Sequence, residues 1–177
     1  MHPAQILCRP LTVRVMKGAA GRYTHYPNKL HQRTIITLKD HLYFAKATAG
    51  GPGRNGTVQS NGDSPLEVNM STPKIAGGKG DGPSPEQLLA MAYSSCFLGA
   101  LQLAASRANK KEMAENAQVH TSIFLGHPED PNMDGFGLRA EVIVEGCPDD
   151  SIISSAHEFC PFSRALQYGA DVSVMKT

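Results

Sequence analysis

From residue 42 onward the apolar positions fall into short alternating runs, one long continuous run, and a second set of alternating runs. Tyr43 to Ala49 and Thr57 to Ser60 read as strands around the turn-forming stretch Gly50-Gly51-Pro52-Gly53, and Leu66, Val68 and Met70 alternate in a further strand. A glycine-rich loop, 77–82, leads into Ser84-Pro85-Glu86-Gln87, where Ser84 is a helix cap, Pro85 the first helical position and Gln87 the third. That order is a capping box, so a helix is predicted to start there and to run to about Ala108. Its stretch from Leu88 to Ala105 is apolar on nearly all sides, which predicts a central core helix. Val119 to Leu125 and Leu138 to Glu145 read as paired strands, the second alternating Leu138, Ala140, Val142 and Val144 against Arg139, Glu141, Ile143 and Glu145. Asp149 or Asp150 caps a second helix with Ile152, Ile153, Ala156 and Phe159 on one face. It is predicted to end near Cys160-Pro161, since proline cannot continue a helix interior. Val172 and Val174 suggest a last strand. Strands grouped around two helices, without regular strand–helix–strand alternation, give an α+β fold class.

Charge divides the chain. All seven Lys and Arg residues before Asp40 face no acid, whereas residues 40–177 carry ten basic and sixteen acidic residues, a net of −6. The expected organisation is a leader, 1–38, and one domain, 39–177, a length that supports a well-buried core. An acid-free segment with arginines and scattered apolar residues (Ile6, Leu7, Leu11, Val13, Val15) reads as an organelle transit segment, because it lacks the continuous apolar stretch of a secretory signal. A mitochondrial address is the expectation; otherwise the leader is a basic tail and the protein cytoplasmic. An acidic folded part argues against nucleic acid as a partner. Tyr93, Ser94, Ser95 and Gln102 interrupt the long apolar run, so no membrane span is expected.

Four cysteines (Cys8, Cys96, Cys147, Cys160) in a chain of 177 residues make no secreted disulfide framework and no zinc spacing, and no metal or bound cofactor is expected. Cys8 lies in the leader and Cys147 at a strand end before Pro148; both read as incidental. Cys96 is the informative one, inside the long helix, with Cys160 before a proline far downstream. On residue type alone each is as well a small packed hydrophobe. Arg54 in a glycine turn is equally a solvated surface residue, and Glu86 in a first helical turn favours the helix dipole whatever else it does.

The segments Gly53-Arg54-Asn55-Gly56, Ser71-Thr72-Pro73-Lys74, Pro85-Glu86-Gln87-Leu88, Tyr93-Ser94-Ser95-Cys96-Phe97-Leu98-Gly99-Ala100, Gly135-Phe136-Gly137-Leu138 and His157-Glu158-Phe159-Cys160-Pro161-Phe162-Ser163 change those weights. In this order the chain resembles the organic hydroperoxide resistance (Ohr) proteins of the OsmC/Ohr superfamily, over roughly residues 42–174. The resemblance implies antiparallel sheets wrapped around two central helices in an intertwined homodimer. It implies a thiol-dependent peroxidase that reduces alkyl or fatty-acid hydroperoxides to alcohols, with Cys96 as nucleophile and Cys160 as resolving thiol. Arg54 would stabilise the thiolate and the departing oxygen, and Glu86 would hold Arg54. Dihydrolipoamide or lipoylated proteins are the implied reductants. Alternatives are an OsmC-type peroxidase of broader preference and a non-catalytic hydroperoxide sensor or lipid-binding module.

A peroxidatic thiol must ionise, and an ordinary cysteine near pKa 8.5 is mostly protonated at neutral pH, so a nearby cation is needed. Ten residues of helix rise about 15 Å, which keeps Glu86 from touching Cys96 on an unbroken helix. Arg54 and Glu86 are therefore expected to reach the thiol across a dimer interface, or the early helix to bend. Two departures from the family pattern fall in the arginine loop: Pro52-Gly53 looks inserted, and Asn55 stands where aspartate is common.

Overall fold

Two antiparallel sheets and three helices make up residues 35–176, which are those described by the structure, a computed structural model. These residues belong to one compact unit, Arg33–Thr177. Nearly all of the expected leader, 1–34, and with it Cys8, lies outside the described residues. The first sheet has the order β1 (Lys46–Gly50), β2 (Thr57–Asn61), β3 (Leu66–Asn69), with Lys46 opposite Asn61 and Thr57 opposite Asn69. The second is a hairpin of β4 (Gln118–Gly126) and β5 (Gly137–Glu145), in register from Gln118–Glu145 to Gly126–Gly137. Its alternation holds over most of its length: Val119, Ile123, Ala140, Val142 and Val144 pack on the core and Ile143 is exposed, but Leu138, expected on the apolar face, is exposed at the start of β5.

The capping box fixes the start of α1 (Pro85–Arg107). Ser84 Oγ accepts from the Gln87 amide at 3.3 Å, and the Gln87 side chain accepts from the Ser84 amide at 2.8 Å. At the other end Asn109 adopts a left-handed φ of +56°. The Lys110 amide bonds back to the Ala105 carbonyl and the Asn109 amide to that of Ser106, which satisfies two of the carbonyls in the last turn of α1. Tyr93, Phe97, Ala100, Leu101, Ala104 and Ala105 recur at helical spacing and form its buried stripe, packed on β4 and on α2 (Asp150–Phe159). α1 also has the length and mean hydropathy (1.6) of a membrane span. In the single chain, though, Met91 and Leu103 on its other faces are uncovered, so the helix is not buried on nearly all sides as its composition suggests.

Asp149 caps α2, accepting from the Ser151 amide at 2.9 Å, and Lys110 bridges to Asp149 at 2.6 Å, tying the end of α1 to the start of α2. α2 ends where expected, with Cys160 as its C-cap, but Pro161 also opens a third helix that was not expected, α3 (Pro161–Tyr168), because a proline lacks only the N–H that a first helical residue leaves unused. The expected last strand needs correction. No strand forms at Val172 and Val174. Both are exposed, and among the described residues pairing in this region is a single parallel bridge between Ile36 and Ala170.

Candidate active site

Cys96 lies half-buried on α1, one residue before the buried Phe97. Cys160 is the one non-helical residue between α2 and α3, with φ −66° and ψ 120°, and is fully buried. The break between the two helices turns its side chain toward α1, where Cys160 Sγ donates to Cys96 Sγ at 3.6 Å. Residues 64 apart in sequence are thus brought to van der Waals distance, and both thiols are free. Burial pushes the Cys96 thiol up, and its contact with Cys160 adds to this; the Phe162 backbone amide at the start of α3 acts in the opposite direction. Around the pair, Tyr93 packs against Phe97 (ring centroids 6.3 Å) and Phe162 (5.9 Å), and its hydroxyl shares a 2.8 Å hydrogen bond with Ser163. Cys147 is buried within the same apolar core.

Arg54 and Glu86 meet elsewhere on the chain. The turn between β1 and β2 carries Arg54 in a single 3-10 turn, Gly53–Asn55. Glycine is required at both edges: Gly53 has φ +59°, and a Cβ on Gly56 would lie 2.0 Å from the Gly50 carbonyl oxygen. Asn55 Oδ1 accepts from the Thr72 amide at 2.8 Å, so the loop is anchored by an oxygen that asparagine supplies as well as aspartate does. Arg54 Nη2 donates to both carboxylate oxygens of Glu86, at 2.6 and 2.5 Å. Nε and Nη1 of Arg54 donate to no acceptor among the described residues. This contact holds the Glu86 carboxyl below the usual glutamate range and raises the guanidinium. Glu86 therefore does more than favour the start of α1. The pair borders an open cleft of about 800 Å³ whose wall includes Lys74, Ile75, Ala90, Ile123 and Leu125, but neither cysteine.

The structure thus forms two couples, Cys96 with Cys160 and Arg54 with Glu86, and no hydrogen bond joins them within one chain among the described residues. α1 runs uninterrupted from Pro85 to Arg107, so a break in its early turns does not close the gap. Tyr93 and Ser163 carry no role in the sequence reading beyond membership of the motifs; Tyr93 lies three residues before Cys96 and Ser163 three after Cys160, and that symmetry was the available signal.

Residues 78–175 match the family model described as OsmC-like protein. An organic hydroperoxide resistance protein of Xanthomonas axonopodis pv. citri is 36% identical, over 75% of this chain and 93% of its own length. The crystal structure of the organic hydroperoxide resistance protein OhrB of Bacillus subtilis superposes with a TM-score of 0.60 at 32% identity, covering 74% of this chain and 96% of that one. That of a Legionella pneumophila organic hydroperoxide resistance protein gives 0.63 at 29%, covering 75% and 95%. With the family model, the sequence and the arrangement of sheets and helices in agreement, the chain belongs to the OsmC-like family and, within it, to the organic hydroperoxide resistance proteins.

Proposed function

We propose that this protein is a thiol peroxidase that reduces organic hydroperoxides to alcohols. The observation that carries the reading is the 3.6 Å approach of Cys160 Sγ to Cys96 Sγ across the α2–α3 break. A disulfide needs about 2.05 Å, a difference of roughly 1.5 Å that side-chain rotation at the non-helical Cys160 can cover. The Cys96 thiolate attacks the outer peroxide oxygen; the O–O bond breaks, the alkoxide leaves and takes a proton to become the alcohol, and Cys96 becomes a sulfenic acid. Cys160 then attacks that sulfur. Dihydrolipoyl groups, free or on lipoylated proteins, return the disulfide to two thiols by exchange.

Burial holds Cys96 in its protonated form, so the thiolate needs a cation. Arg54, aimed by Glu86, is the cation we assign: it stays charged at any working pH and can donate to thiolate and alkoxide alike. Since one α1 separates Glu86 from Cys96 by about 15 Å, the Arg54–Glu86 pair serves the Cys96 of a second copy in a homodimer. The uncovered Leu42, Phe44 and Met91 of the single chain favour such an assembly. The acid-free leader supports a mitochondrial site of action; mass spectrometry of the organelle-resident protein would show a trimmed N-terminus, whereas an intact Met1 would count against import.

The test is hydroperoxide consumption with dihydrolipoamide by wild type, Cys96→Ser and Cys160→Ser. Sustained turnover that disappears in Cys96→Ser is expected. A folded, reduced wild type that turns over no organic hydroperoxide would reject the enzyme reading in favour of a sensor or lipid-binding module.

A further inference from the structure

The position of Cys160 depends on how α3 sits against α1, where the partly buried Phe162 packs against Tyr93. Ser163 is its one buried residue, and Cys160, which occupies the cap position, makes no side-chain capping bond. Ser163 is 1% exposed and Tyr93 3%, and the 2.8 Å bond between their hydroxyls joins the first turn of α3 to α1. Tyr93 stands one helical turn from Cys96, on the same face of α1, and Ser163 one turn from Cys160. The bond therefore runs beside the two sulfurs and spans the same pair of elements. Phe97 and Phe162 pack against the tyrosine ring, and removing either hydroxyl takes away the other's side-chain hydrogen-bond partner.

We propose that Tyr93 and Ser163 are positioning residues for the resolving step: their hydrogen bond sets α3 on α1 so that Cys160 is kept in attacking range of the oxidised Cys96. This rests on the two-cysteine reading above. In that step the Cys160 thiolate attacks the sulfur of the Cys96 sulfenic acid. The S–S bond forms, the S–O bond breaks, and hydroxide leaves and is protonated to water. When α3 drifts, the sulfenic acid survives long enough to meet a second hydroperoxide, which oxidises it to sulfinic acid as that molecule becomes an alcohol.

The experiment follows both steps in wild type, Tyr93→Phe, Ser163→Ala and the double variant. Cumene hydroperoxide is added to the reduced full-length protein, and quenched samples are read by mass spectrometry for sulfenic acid, disulfide and sulfinic acid. Each single variant keeps the packing shape and carries the test alone if the other does not fold. The proposal expects disulfide formation to slow roughly three- to tenfold in each single variant, the range of one lost hydrogen bond. It also expects more sulfinic acid, a smaller effect on the first step, and a double variant no slower than the slower single. Unchanged resolution, single effects that multiply in the double variant, or equal slowing of both steps would overturn it. If wild type itself forms no Cys96–Cys160 disulfide, the two-cysteine reading fails and this proposal with it; if wild type forms it and the variants resolve at the same rate, only the positioning role is lost.

Discussion

Replacing Glu86 with glutamine separates two things the carboxylate does: favouring the start of α1 and holding Arg54. The side chain keeps its size, but Arg54 Nη2 loses its charge-assisted contacts of 2.6 and 2.5 Å. Hydrogen bonds to charged groups contribute about 1.5–3 kcal/mol, and an arginine released from one geometry regains about 2 kcal/mol of rotamer freedom, which opposes holding it for catalysis. In the resting protein that contact stabilises little. The Arg54 side chain is 44% exposed, so water screens the attraction, and exposed ion pairs contribute about 0.2–1 kcal/mol to folding. Function and stability should therefore part. A loss of about 2 kcal/mol in the transition state corresponds to a roughly 30-fold lower rate constant for peroxide reduction. The melting temperature of the same variant should fall by only about 1–4 °C. The assay is the second-order rate constant for loss of the Cys96 thiol with tert-butyl hydroperoxide, beside a thermal melt. A rate constant within about twofold of wild type, with only the melt shifted, would leave Glu86 as a helix-start residue and refute its hold on Arg54.

The pH dependence follows from the same contact. Arg54 lowers the Glu86 carboxyl, so the pair is intact above the ordinary glutamate value of about 4.3 and is lost only as pH falls through the lowered one; the profile of kcat/KM should show no Glu86 limb above about pH 5, and such a limb at pH 6 would contradict the pairing. Cys160→Ser should retain the first, thiol-consuming step while accumulating sulfenic and then sulfinic acid on Cys96, seen by mass spectrometry; a normal multiple-turnover rate would remove Cys160 from the cycle. Ser84→Ala deletes the bond from the Gln87 amide to Ser84 Oγ, one half of the capping box at α1, and should cost about 1 kcal/mol, a drop of about 2–4 °C in the melt. No shift would mean the box does not govern the start of this helix.

Local signals with a clear physical basis carried most of the fold. Ser84 and Gln87 announced α1 because both halves of the capping box lie within four residues, and the two-residue alternation of β5 announced that Ala140, Val142 and Val144 face the core, though not that Leu138 at the strand's start is exposed. The misses share a cause. Pro161 is a stop signal for the helix before it and a start signal for the one after, and eight residues of α3 give little periodicity to decide between them. Val172 and Val174 alternate over too short a stretch, and strand formation also needs a partner edge, which the described residues do not supply. The site was legible only through resemblance. Arg54 and Glu86 are 32 residues apart and Cys96 and Cys160 are 64 apart, so no spacing rule joins either couple. What the sequence did yield by geometry alone is the separation of Glu86 from Cys96 along an unbroken helix, and the structure keeps that helix unbroken.

The central claim is that Cys96 and Cys160 form one redox couple. Its most direct test adds one equivalent of cumene hydroperoxide to the fully reduced protein, blocks remaining thiols, and maps the peptides by mass spectrometry without reduction. The account predicts a Cys96–Cys160 cross-linked peptide in amounts matching the alcohol produced, with Cys147 blocked as a free thiol. Both cysteines recovered as blocked thiols beside unconsumed hydroperoxide, or a disulfide that joins Cys96 to Cys147 instead, would contradict it.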